Sequence, residues 1–298
     1  MLKKRARFWL AMSIMISVLA LSLACGKKDD GADSGGGDTG TTAGTKYAVT
    51  GNEGTVTGKV SLNGTAPAPQ KIDMAQDANC ASKNPNAVTE TVVAKDGNLQ
   101  NVFVYIKEGT TADNKKIADF TFDKPATEAV LDQTGCHYVP HVLGMQTNQT
   151  LKVTNSDPTS HNINAQPDKK TGNEAFNESQ PSGAGPITKT FKRSEILVPV
   201  KCNQHPWMKA YIGVVKHPFF AVSKEDGTFE IKGVPPGTYT VVAWHEKGPT
   251  EKTMQVTIPA KGSGKADFTF DASAMASGST STSLEMMPAL DLPMLGRH

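Results

Sequence analysis

Apolar and polar positions alternate in short runs along most of this chain, the period of side chains pointing to opposite faces of a half-buried β-strand. Thr55-Val56-Thr57-Gly58-Lys59-Val60-Ser61-Leu62 alternates and stops at the turn signal Asn63-Gly64. That predicts a strand which ends there or enters a hairpin. Gln100-Asn101-Val102-Phe103-Val104-Tyr105-Ile106 follows the turn-like Lys95-Asp96-Gly97-Asn98 and is rich in β-branched and aromatic residues, so it predicts a second strand. Leu151–Thr154, Ile187–Phe191, Tyr211–Val215, Thr228–Ile231 and Thr238–Trp244 repeat the pattern. No stretch beyond residue 24 sustains a helical period, and the predicted class is an all-β sandwich architecture.

The ends of the chain break the pattern. Met1-Leu2-Lys3-Lys4-Arg5-Ala6-Arg7 is a basic start, followed by a mostly apolar run from Phe8 to Ala24. The run is short and soon meets polar sequence, which fits an export signal better than a permanent membrane span. Leu21-Ser22-Leu23-Ala24-Cys25-Gly26 resembles the lipobox of bacterial lipoproteins, although its Leu21 makes the match loose. By that resemblance residues 1–24 are removed, Cys25 is lipidated, and Gly26 after it favours the outer membrane. The alternative is an ordinary cleaved signal in which Cys25 is incidental. Residues 25–53, rich in Gly, Ser, Thr and Asp, read as a flexible tether, and residues 272–298 as a disordered tail.

With 31 basic and 29 acidic residues the 298-residue chain carries a net +2, which becomes −2 once the four cations of residues 1–24 are removed. A near-neutral mature protein gives nucleic-acid binding little support. Four cysteines occur: Cys25, Cys80, Cys136 and Cys202. If Cys25 carries lipid and Cys202 binds metal, export allows Cys80 and Cys136 either to form a disulfide or to remain as buried thiols.

The densest chemistry is Cys202-Asn203-Gln204-His205-Pro206-Trp207-Met208, with thiolate, imidazole and thioether at Cys-x-x-His-x-x-Met spacing. A type 1 copper site takes two imidazoles and a thiolate, with a long, weak axial thioether. The second imidazole must come from elsewhere, and Asn155-Ser156-Asp157-Pro158-Thr159-Ser160-His161-Asn162-Ile163 offers His161. Zinc is the rival metal, but structural zinc sites use four Cys or His ligands and Met suits them poorly. A buried structural thiol with chance neighbours, or a fold that keeps the loop without copper, are the blander readings. His141 is a weaker rival to His161, and His137 lies close by. His217 and His245 read as packing or surface residues, and His298 is terminal. No His-x-His pair occurs, which argues against a trinuclear copper cluster, and the loop lacks the second Cys of a dinuclear purple centre.

Over roughly residues 130–215 the chain resembles the cupredoxins, most closely the amicyanin-like members with a short ligand loop. Tyr138-x-Pro140, then Leu151-x-Val153-x-Asn155-x-Asp157, then His161-Asn162 carry the match, with Phe191 expected on the strand before the Cys and Tyr211–Val215 on the strand after the Met. The resemblance implies a Greek-key sandwich holding one copper, with His161, Cys202 and His205 as strong ligands and Met208 as the axial one. It also implies that Asn162 steadies the Cys loop and that Pro206 and Trp207 stiffen it and form an apolar patch. Within that patch the edge of His205 would stand exposed as the port for electrons.

A second resemblance flanks the first. Asp226-Gly227-Thr228-Phe229-x-Ile231-x-Gly233-Val234-Pro235-Pro236-Gly237-Thr238-Tyr239 is similar to the carboxypeptidase regulatory-like (transthyretin-like) sandwiches, and Gly54-Thr55-Val56-Thr57-Gly58-Lys59-Val60 is similar to their opening strand. Asp226-Gly227 would close a hairpin, Pro235-Pro236-Gly237 a tight turn, and Phe229 and Tyr239 would fill the core. The expected layout is therefore one sandwich from residues 54–125 and 216–271, interrupted by a copper domain over 126–215. Consecutive modules are the rival layout. No nucleophile–base set suggests an enzyme. The expected function is an envelope-anchored carrier of single electrons between redox partner proteins. A non-catalytic module that recognises carbohydrate or protein, with copper absent or structural, is the alternative; copper storage or delivery fits less well.

Overall fold

The alternating runs become strands in a computed structural model, which describes residues 44–247 and 251–276. The expected leader 1–24, Cys25, the tether up to residue 43 and the tail from residue 277 lie outside the described residues. Among those described, no helix is long and apolar enough to cross a membrane. The class is all-β.

Two β-sandwiches account for nearly every strand. In the first, a four-stranded sheet in the order Ile187–Lys189, Leu151–Asn155, Ala129–Thr134, His137–Val139 faces a five-stranded one. The order of the latter is Phe176–Gln180, His161–Ala165, Glu195–Lys201, Lys209–Val215, Val142–Gln146. Leu131, Met145, Leu151, Val153, Ile163, Val198, Ile212 and Val214 fill the space between, all fully buried. In the second, the sheet Phe220–Val222, Phe103–Thr111, Gly237–Trp244, Glu251–Ile258 packs on a sheet organised around Gly54–Asn63. Phe229 and Tyr239 are buried there, as the sequence anticipates, together with Ile231 and Val241.

Gly54–Asn63 pairs antiparallel with Thr228–Val234 across the whole intervening sequence. The chain thus enters the second sandwich, leaves to build the first, and returns. A third small core, including Phe103, Val142, Leu197, Val215 and Val242, joins the two. Gly144 and Gly213 permit the close approach: a Cβ at either would come within 2.5 Å of the Phe220 or Phe103 ring.

Several local expectations are corrected. Residues 54–125 do not all serve the second sandwich, because Met74, Cys80 and Ala87 are buried in the core of the first. The helix Ala78–Lys83, six residues long, is too short to leave a periodic signal. The tether ends before residue 53, since Thr45–Lys46 pairs with Phe120–Thr121 and the Tyr47 hydroxyl donates to Glu53. The tail begins later than 272, with Ala272 and Met275 buried in a short helix. Asp226-Gly227 joins strands of different sheets and closes no hairpin of paired strands, whereas Pro235-Pro236 does make the expected tight connection, from Thr228–Val234 to Gly237–Trp244. Phe191 is buried beside the strand Ile187–Lys189, and the strand leading into the Cys is Glu195–Lys201, whose Pro199 breaks the sequence pattern.

Candidate metal centre

Strand periodicity places the expected ligands. Val198, Val200 and Cys202 share the inward face at the end of one strand, and Met208, Ala210, Ile212 and Val214 share it on the next. His161 opens the neighbouring strand with Ile163 and Ala165 turned into the same core. That strand runs antiparallel to Glu195–Lys201, so its first residue lies beside the loop that follows Lys201. Cys202 N–H donates to Met208 O at 3.1 Å and Met208 N–H to His205 O at 2.9 Å, which folds the seven residues back on themselves.

Ligand atoms of His161, Cys202 and His205 all lie within 4.8 Å of one another, and the three residues and Met208 are buried. The two Nδ1 atoms are 2.9 Å apart and Cys202 Sγ is 3.7 Å from His205 Nδ1. Nitrogen and sulfur donors at about 2.0–2.3 Å from one ion stand about 3–4 Å from each other, so this spacing suits a shared metal.

The outer ring nitrogens strengthen that conclusion. His161 Nε2 meets Asp157 Oδ2 at 3.0 Å and His205 Nε2 meets Asp77 Oδ2 at 3.2 Å. Burial alone would raise the Asp157 carboxyl, but hydrogen bonds from Cys136 N–H, His161 and Gly135 N–H hold it below the ordinary value. Asp77 is likewise held low despite burial, by Thr159, Cys80 N–H and His205. A carboxylate only accepts, so each Nε2 carries the proton and each Nδ1 presents a lone pair. Two lone pairs 2.9 Å apart repel unless a cation lies between them or one ring takes a second proton. Burial pushes the His161 imidazole below its ordinary value and outweighs Asp157, which disfavours a second proton on that ring. The clustered donors suit a shared metal, and two imidazole nitrogens, a cysteine sulfur and the adjoining Met208 make the kind of set that fits copper.

Around the donors the loop is braced. Asn162 Oδ1 accepts from Asn203 N–H at 2.6 Å and from Cys202 Sγ at 3.3 Å, and Asn164 donates to Asn203 at 2.9 Å. Trp207 Nε1 donates to Cys136 O at 3.1 Å, its ring centroid 5.1 Å from that of His205. Pro206 is exposed. Cys80 and Cys136 are joined in a disulfide, leaving Cys202 as the free cysteine among the described residues.

One expectation fails. The edge of His205 is not exposed: the residue is 4% accessible, with Asp77 and the disulfide sulfur of Cys80, 3.7 Å away, covering Nε2. Neither Asp77 nor the docking of helix Ala78–Lys83 had a motif to reveal it. Asp157, four residues before His161, could have been read from spacing, since the bend between two strands brings such a pair together. His141 is buried away from the cluster, paired with Glu246, and His137 bonds Gly135 O, so neither joins it.

No protein-family model matches the sequence, and no curated protein matches it. Some solved structures resemble part of the chain. Amicyanin from Paracoccus versutus is 19% identical over 37% of this chain and 96% of its own, with a TM-score of 0.26. A purple cupredoxin from Nitrosopumilus maritimus is 22% identical over 29% of this chain and 99% of its own, with a TM-score of 0.24. A copper-containing nitrite reductase from Thermus scotoductus SA-01 is 22% identical over 30% of this chain, at a TM-score of 0.26, and the match spans 22% of the reductase.

Proposed function

We propose that this chain is a type 1 copper protein that carries single electrons between redox partner proteins and is not itself an enzyme. The observation that carries the reading is the pair of Nδ1 atoms 2.9 Å apart, beside a buried thiol, with both outer nitrogens held by carboxylates. Copper bound there would supply a one-electron couple. His161, Cys202 and His205 would hold it, Met208 would supply the weak axial donor, and the two sheets would keep all four in place in either oxidation state. Trp207, half-buried and packed near His205, offers a way outward in place of the covered imidazole edge. Export by residues 1–24 and a lipid on Cys25 would hold the protein at the bacterial cell envelope, on the outer membrane, facing the periplasm or the cell surface.

The purified full-length chain, loaded with Cu(II), is expected to turn intensely blue through thiolate-to-copper charge transfer, and Cys202→Ser to remove that band entirely. A colourless wild-type chain, or a Cys202→Ser protein that keeps the band, would sink the proposal. The burial of His205 favours a second reading, in which the metal only stiffens a binding module. Electron self-exchange of the blue protein separates the two, since a structural metal would exchange negligibly.

A further inference from the structure

Asp77 sits on a stretch that leaves the second sandwich and is pinned over the ligand loop by the Cys80–Cys136 bridge. It caps the helix Ala78–Lys83: Oδ1 accepts from Asn79 N–H at 2.8 Å and Cys80 N–H at 3.2 Å. A cap needs one oxygen. The other, Oδ2, accepts from Thr159 Oγ1 at 2.7 Å and from His205 Nε2 at 3.2 Å. Asp77 is not a donor to the same ion, because it meets the far nitrogen of a ring whose near nitrogen faces His161 and Cys202.

We propose that Asp77 is a positioning residue for the copper centre, which fixes the tautomer of His205 and biases the site toward the oxidised ion. The proposal rests on the copper reading above. With its carboxylate on Nε2–H, Asp77 leaves Nδ1 as the lone pair and turns it toward the cluster. It also makes the imidazole a more basic ligand. The negative charge, only partly screened at this half-buried position, favours the doubly charged ion over the singly charged one. The helix cap alone accounts for Oδ1 and leaves the bond to His205 unexplained.

Asp77→Asn separates the two roles. Asn caps a helix as well as Asp, but with its one oxygen kept on the cap it turns an NH2 group toward Nε2–H and offers no acceptor. Asp77→Ser provides a second capping residue, with a side chain too short to reach the imidazole. In the full-length chain both variants are expected to keep the wild-type circular dichroism and the blue band. The ratio of Cu(II) to Cu(I) affinity is expected to fall about tenfold, a rise of about 59 mV in reduction potential. In the metal-free protein, nitrogen-15 spectra should show His205 as the Nε2–H tautomer in wild type and a mixture in both variants. A blue wild type whose potential and His205 tautomer are unchanged by both substitutions overturns this proposal alone. A wild-type chain that takes up no copper overturns the copper reading, and this proposal with it.

Discussion

At the scale of single residues, the placing of the proposed ligands follows from alternation carried to the ends of strands. Cys202 and Met208 continue the inward faces of Val198-x-Val200 and Ala210-x-Ile212, so the loop between them needs no unusual backbone to turn both into the same core. Met208 is fully buried in that core, and its packing can be told apart from the proposed role as weak donor. Met208→Leu nearly conserves volume, so it is expected to keep the blue band and fold while raising the reduction potential. An unchanged potential in a redox titration would remove Met208 from the ligand set. Asp157 and Asp77 act at the same scale, each holding one imidazole by its outer nitrogen.

At the scale of elements, the segment around Ala78–Lys83 is the least expected part of the molecule. It supplies one half of the Cys80–Cys136 bridge, and the other half lies in the turn after Ala129–Thr134. The sequence singled out Cys80 and Cys136 as the pair left for a disulfide and left open only whether they join or stay as buried thiols; the structure joins them. The bridge closes a loop across 56 residues of sequence, worth about 4 kcal/mol on the chain-entropy estimate. The double substitution Cys80→Ala and Cys136→Ala is expected to lower stability by about that amount in urea denaturation of the metal-free protein. A loss below about 1 kcal/mol would mean that packing of Met74 and Ala87 holds the segment without the bridge.

At the scale of the whole molecule, the two sandwiches meet through a small aromatic core and one buried ion pair. His141 Nε2 lies 2.7 Å from Glu246 Oε1, and His141 Nδ1 lies 3.7 Å from Glu90 Oε2. Burial opposes the charged imidazole, but Glu246, by hydrogen bond and charge, and then Glu90 raise its pKa above the ordinary 6.5. A raised folded pKa stabilises the native state fully below the unfolded value, and that stabilisation fades as pH rises through the folded one. Glu246→Gln is therefore expected to cost about 1.5–3 kcal/mol in mildly acidic solution and progressively less toward alkaline pH. Thermal denaturation of both proteins over about pH 5.5–9 checks this; a gap that stays constant would show that the pair contributes no charge-dependent stability.

The sequence by itself determined the all-β class and named His161, Cys202, His205 and Met208, because strand period and donor spacing are local properties of the chain. It also carried both ends of the interrupted sandwich, in Gly54-Thr55-Val56-Thr57-Gly58 and Thr228-Phe229-x-Ile231. Only the tertiary structure decided that those strands pair, that His161 stands beside Cys202 while His141 does not, and that Asp77 closes over His205. Those contacts join residues 44 to 180 positions apart, and the apolar burial that brings their strands together is spread over the whole chain, so no local pattern records it.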